Sequence, residues 1–119
     1  MKKILIVEDN ELNLELFKDI VMNYGYQAIE ACSGIEAIEK AQSEAPDLIL
    51  MDIQLPGMDG VAALKKIKDL PLQKNIPVIA LTGYAMDGDE DKFLAEGFAS
   101  YVSKPIDITT FIETIRKFT

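Results

Sequence analysis

The chain has 119 residues, 49% of them hydrophobic and 27% charged; this is the size and make-up of one globular domain with one core, and it excludes a disordered, fibrous or membrane-spanning chain. Against 20 Asp and Glu stand 12 Lys and Arg, leaving a net charge of −8, a field that repels nucleic acid and anionic lipid. Histidine is absent, which removes the commonest general base, the usual zinc ligand and any role as a histidine phosphodonor, and the lone cysteine, Cys32, rules out an internal disulfide and fits a reducing, cytoplasmic setting.

The opening "MKK" resembles the start of a signal segment, but the apolar run behind it, Ile4 to Val7, ends at Glu8 and is too short for export or for a membrane span. "ILIV" (4–7), "LILM" (48–51) and "VIAL" (78–81) are unbroken apolar quartets, the pattern of parallel strands covered on both faces. "YQAIE" (26–30) and "ASYVS" (99–103) mix polar and apolar positions and suit strands at the margins of a sheet. Between the strands lie helical patterns. Leu16, Phe17, Ile20, Val21 and Tyr24 form one stripe, ended by Gly25. Ser33 and Glu36 have capping-box spacing for a second helix that stops before Pro46. A third is expected from about Val61 to Leu70, closed by Pro71, with Lys65, Lys66 and Lys68 as a solvated face. A fourth is expected from about Asp87 to Glu96, stopped by Gly97, its acidic start (Asp87, Asp89, Glu90, Asp91) suiting a helix N-terminus. The last begins near Asp107.

Five βα units with short connections predict an α/β, single-domain, flavodoxin-like (βα)5 fold over residues 1–119: a five-stranded parallel sheet in the order 2-1-3-4-5 with helices on both faces. The domain fills the chain, so no output domain is expected. In such sheets ligands sit beyond the carboxyl ends of the strands. There the first strand runs into Glu8 and Asp9, the third into Asp52, the fourth into Thr82 and the fifth into Lys104. Crowded carboxylates must share protons or recruit a cation, and oxygen ligation without His or Cys selects Mg2+ or a similar ion. Thr82 and Lys104 supply a hydroxyl and an ammonium for an anion opposite the metal, an arrangement made for phosphoryl transfer with Asp52 as nucleophile. Any one acid at a strand end is ordinarily a cap or a solvated residue, and Asp9 or Asn10 would serve as a cap for the first helix. It is the whole set, at four strand exits, that argues for a site. Pro105 after Lys104 is a candidate for a cis bond.

"LIVEDN", "DLILMDIQLPGMDG", "PVIALTGYA" and "YVSKPI" resemble the response-regulator receiver domains of two-component signalling, and the resemblance spans the whole chain. "VEDNELN", "DIQLP" and "AMDGDE" are most similar to stand-alone regulators of the DivK cell-cycle type. The resemblance implies a phosphorelay switch rather than an enzyme with an external substrate. Asp52 would take a phosphoryl group from the phosphohistidine of a histidine kinase or phosphotransfer protein. Glu8, Asp9, Asp52 and the carbonyl of Gln54 would hold Mg2+ or Mn2+, and Thr82 and Lys104 would contact the phosphoryl group. Tyr101 would be the aromatic switch.

Charge arithmetic supports a switch in its own right. A phosphoryl group adds nearly two negative charges and pulls the Thr82 hydroxyl inward; Tyr101 can turn into the space left, reshaping the surface of the fourth helix, fifth strand and fifth helix for a downstream protein. Leu12 and Leu14 fall off the apolar stripe near the acid pocket and are expected to offer a docking patch for a partner helix. Gly83 leaves an open approach beside Thr82, while the side chains of Gln54 and Tyr84 are placed to govern water access to an acyl phosphate. Two other readings compete: an interaction module without phosphorylation, which has no use for the full set, and a small aspartyl-phosphate phosphatase, which wants a second acid where residue 54 is Gln. A nucleotide or flavin binder would want glycines where the first strand ends in acid.

Overall fold

The structure is a computed structural model and describes residues 1–83 and 89–119, with side chains in the second segment from residue 91 on. Strands and helices alternate along the chain: β1 (Lys3–Val7), α1 (Glu11–Asn23), β2 (Gln27–Ala31), α2 (Gly34–Glu44), β3 (Leu48–Asp52), α3 (Gly60–Lys68), β4 (Val78–Thr82), α4 (Asp89–Glu96), β5 (Ser100–Ser103) and α5 (Ile108–Phe118). All strand pairs are parallel, in the order β2-β1-β3-β4-β5. The three apolar quartets occupy the three inner positions and the two mixed segments the edges, as their hydropathy predicts.

Side-chain alternation along each strand builds two cores. Ile4, Ile6, Leu48, Leu50, Ile79, Leu81 and Val102 point to one face, where Leu14, Phe17, Ile20 and Val21 of α1 and Phe111, Ile112 and Ile115 of α5 cover them. Leu5, Val7, Ile49, Met51, Val78 and Ala80 point to the other, under α2, α3 and Phe93 of α4. Asn10, Ser33, Asp59 and Asp107 cap α1, α2, α3 and α5, each accepting a bond from the backbone N–H three residues on. The capping box at Ser33 is a variant: Glu36 Oε1 accepts from the N–H of Cys32, one residue before the cap.

The stripe of α1 differs from its sequence reading. Leu14 is 6% exposed and Leu16 46% exposed. Leu14, Phe17 and Val21 keep the three- and four-residue steps that bring side chains to one face, and a helix in that phase turns Leu16 outward. Tyr24 is half exposed at the end of the helix, with the Arg116 guanidinium 5.4 Å from its ring centroid. The third helix begins at Gly60 and ends at Lys68, about two residues earlier than Pro71 alone suggests. Of the expected fourth helix, Asp87 lies outside the described residues, and α4 is described from Asp89. No helix among the described residues is long and apolar enough to cross a membrane.

Candidate functional site

At the carboxyl edge of the sheet, β1, β3, β4 and β5 end side by side, so that Glu8, Asp52, Thr82 and Lys104 are neighbours although they lie far apart in sequence. The loops leaving β3 and β5 are each tied to β4 by a backbone bond. Ile53 N–H donates to the carbonyl of Leu81 at 3.0 Å, and Lys104 N–H to the carbonyl of Thr82 at 2.7 Å. The Lys104–Pro105 bond is cis.

Lys104 lies between two buried carboxylates. Its Nζ is 2.7 Å from Glu8 Oε2 and 3.1 Å from Asp52 Oδ2, and these carboxylate residues are only 1% and 4% exposed. The other oxygens are also engaged: Glu8 Oε1 accepts from Asn10 N–H at 3.2 Å, and Asp52 Oδ1 from Gln54 N–H at 3.0 Å. Asp9 is exposed, and Asn10 has taken the capping position, so Asp9 is not the cap of α1. One oxygen each from Glu8, Asp9 and Asp52 falls within 4.8 Å of the others. Three hard oxygen donors with no nitrogen or sulfur at that spacing fit a small divalent cation such as Mg2+.

The electrostatics follow from burial. Loss of water pushes the Glu8 carboxyl above its ordinary 4.5, and the Asp52 charge adds to the rise against the opposing Lys104 ammonium and Asn10 N–H. Burial by itself would lower Lys104, but hydrogen bonds to Glu8 and Asp52 hold its ammonium above the ordinary 10.5. A carboxyl raised in the fold favours folding fully below its unfolded value, and that contribution is lost as pH rises through the folded value. In the metal-free protein, Glu8→Gln is therefore expected to gain stability relative to the unsubstituted chain as pH is raised from about 4 to about 8. Urea unfolding in chelator at both ends of that range checks it, and a difference that stays constant or shrinks contradicts the assignment.

The remaining expected residues are placed as follows. Thr82 ends β4 and is buried, and Gly83 beside it is exposed with no described atom within 4 Å of where a Cβ would stand. Gln54 is exposed two residues beyond Asp52. Tyr84 lies outside the described residues. Tyr101 is half-buried on β5 opposite Ala80 and leans on the core that faces α2, α3 and α4. Leu12 is 82% exposed. Leu14 is not available for docking: it belongs to the core between α1 and the sheet, and Leu16 takes the outward position. Beside Leu16 a groove of about 390 Å3 runs along Asn13, Phe17, Pro105 and Ile106 to Lys104.

One residue with a direct bearing on the site was not singled out from sequence. Gly60 begins α3 where the helix meets the end of β3, and a Cβ there would stand 2.4 Å from the backbone oxygen of Asp52.

Comparison with known proteins points the same way as the geometry. The family model described as the response regulator receiver domain matches residues 4–116. The polar-differentiation response regulator DivK of Brucella ovis is 49% identical over 117 residues, covering 98% of this chain and 95% of the relative. Among solved structures, the Vibrio cholerae chemotaxis protein CheY4 superposes with a TM-score of 0.93 at 26% identity, covering 100% of this chain and 99% of that one. The receiver domain of a Pseudomonas aeruginosa sensor histidine kinase, described with a magnesium ion coordinated in its active-site cleft, gives 0.90 at 32% identity over 98% of this chain and 96% of that one.

Proposed function

Since the chain belongs to the response regulator receiver domain family, we propose that it is a DivK-like phosphorelay switch whose phosphoacceptor is Asp52. The observation that supports this most is the position of Asp52. It is nearly buried, 3.1 Å from the Lys104 ammonium, and shares a 4.8 Å oxygen cluster with Glu8 and Asp9. Glu8, Asp9, Asp52 and the backbone carbonyl of Gln54 would hold Mg2+, or Mn2+ in its place. When bound, the ion neutralises the clustered carboxylates and the phosphoryl oxygens that approach them.

The chain's own groups account for the rest. An Asp52 carboxylate oxygen attacks the phosphorus of a phosphohistidine; the new O–P bond forms as the P–N bond breaks, and the leaving imidazole takes up a proton from solvent. Lys104 is then in place to turn from Glu8 and Asp52 to a phosphoryl oxygen, and the Thr82 hydroxyl to donate to another. Gly83 leaves the approach to Thr82 open. Movement of Thr82 is passed to Tyr101, which lies on the same face of the sheet: Tyr101 pairs with Ala80, and Thr82 follows two residues on. The surface changed is that of α4, β5 and α5, and the output is contact with a downstream protein in the cytoplasm. The direct test is intact mass after exposure to acetyl phosphate with Mg2+ or with chelator: one added phosphate is expected only with the ion, and none in either arm rejects the reading.

A partner's phosphohistidine must be presented to this pocket; Leu16 lines the apolar groove that leads to it, and Leu12 is exposed one helical turn before Leu16. Leu12→Asp is expected to slow transfer from a phosphohistidine protein by about tenfold, as loss of one buried apolar contact would, while labelling by acetyl phosphate is unchanged. Equal slowing of both would place the fault in the pocket and not in docking.

A further inference from the structure

The ring of Tyr101 is held by a neighbour that the phosphoryl chemistry does not use. Phe93 of α4 is buried, and its ring centroid lies 5.9 Å from that of Tyr101 with the planes inclined at 43°. Phe93 also meets Phe98 edge-on, at 5.9 Å and 86°. Both spacings are those of favourable aromatic pairs. Phe98 is itself buried where the chain passes from α4 to β5, and its N–H donates to the carbonyl of Phe93 at 3.1 Å. The three rings therefore tie α4 to β5, with Phe93 in the middle. Across the sheet from Tyr101 stands Ala80, a small side chain on the face that Tyr101 shares with Thr82. On its outer side Tyr101 also borders a surface groove of about 340 Å3 with Ser103, Asp107 and Thr110. Its ring thus lies at the boundary between core and surface, and its most specific described contact is Phe93.

We propose that Phe93 is a positioning residue for Tyr101: its ring stabilises the orientation seen in the unmodified chain and so sets how strongly occupation of Asp52 is resisted. The inference rests on the reading of Asp52 as phosphoacceptor and Tyr101 as the element that moves. If occupation of Asp52 requires Tyr101 to leave Phe93, the contact is made in one state and not in the other, and such a differential contact couples two sites.

The experiment measures the affinity of the full chain for beryllofluoride with Mg2+, which mimics a phosphoryl group on a carboxylate, and its affinity for Mg2+ alone. Phe93→Leu keeps an apolar filler but removes the ring. It is expected to bind beryllofluoride about fivefold more tightly, at the low end of ordinary coupling, with Mg2+ affinity unchanged. The gain should vanish when the same substitution is made in a Tyr101→Ala background, because the partner ring is already gone. Phe98→Leu, a similar loss of packing without a direct ring contact to Tyr101, should leave the affinity within about twofold. A gain that persists without Tyr101, an equal gain from Phe98→Leu, or no gain in a Phe93→Leu protein shown by thermal melting to be folded each overturns the inference. If Phe93→Leu does not fold, Phe93→Met takes its place under the same criteria. Failure of the unsubstituted chain to bind beryllofluoride is a separate result: it removes the phosphoacceptor reading and, with it, the role given to Phe93.

Discussion

Asp52→Asn is expected to abolish Mg2+-dependent phosphoryl labelling while leaving the protein folded. An amide oxygen is a poor nucleophile and cannot form an acyl phosphate, so the loss should be complete at the sensitivity of intact-mass detection. The substitution is nearly isosteric. The Asn side-chain carbonyl can accept the bond that Gln54 N–H now gives Asp52 Oδ1 at 3.0 Å, and Lys104 keeps Glu8 Oε2 at 2.7 Å. Removing one of three crowded carboxylates also relieves repulsion, so the melting temperature of the metal-free variant should be no lower than that of the parent. Persistent labelling in the variant would mean that another side chain is the acceptor. Loss of labelling together with unfolding would not meet the expectation either, which is why melting is measured on the same samples.

What the sequence makes legible here is what depends on short-range pattern. Ile4 to Val7, Leu48 to Met51 and Val78 to Leu81 read as inner strands because each is apolar at every position, and only a strand covered on both faces requires that. Once the strand order follows, topology alone brings Glu8, Asp52, Thr82 and Lys104 to one edge. Features that depend on how elements approach one another are much less visible. The sequence reading puts Leu16 on the apolar stripe of α1 and Leu14 off it, and the packing of α1 against the sheet reverses this, burying Leu14 and exposing Leu16. Asp9 and Asn10 are equally good caps by residue type; the register of α1 assigns the cap to Asn10 and leaves Asp9 facing the cluster. The pairing of Lys104 with Glu8 spans 96 positions and has no local signature. Phe93 reads as one more core aromatic until its distance from Tyr101 is known.

Gly60 shows the same limit, and its replacement has the largest expected effect on the scaffold. The glycine follows Asp59, the cap of α3, and nothing in that local pattern distinguishes a glycine that merely starts a helix from one that must have no side chain. In the fold, its N–H donates to the carbonyl of Ile53 at 2.9 Å, which holds the first turn of α3 against the end of β3. A Cβ would stand 2.4 Å from the Asp52 oxygen and 2.9 Å from Ile53 Cα, both backbone atoms that cannot swing aside as a side-chain end would. Gly60→Ala must therefore push α3 off its cap contact, where Ala62 N–H meets Asp59 Oδ1 at 2.8 Å, or shift the strand end that carries Asp52. We expect a loss of about 3 kcal/mol of stability, the upper part of the range for overpacking, and weaker Mg2+ binding in whatever fraction stays folded. Gly57→Ala is the control: its φ of +78° strains any side chain, but no described atom lies within 4 Å of where its Cβ would stand, so it should lose only about 1 kcal/mol and bind Mg2+ normally. Urea unfolding and calorimetric titration of the two variants decide the matter. If Gly60→Ala costs no more than Gly57→Ala and binds the ion equally well, the close approach of α3 to Asp52 does not fix the site.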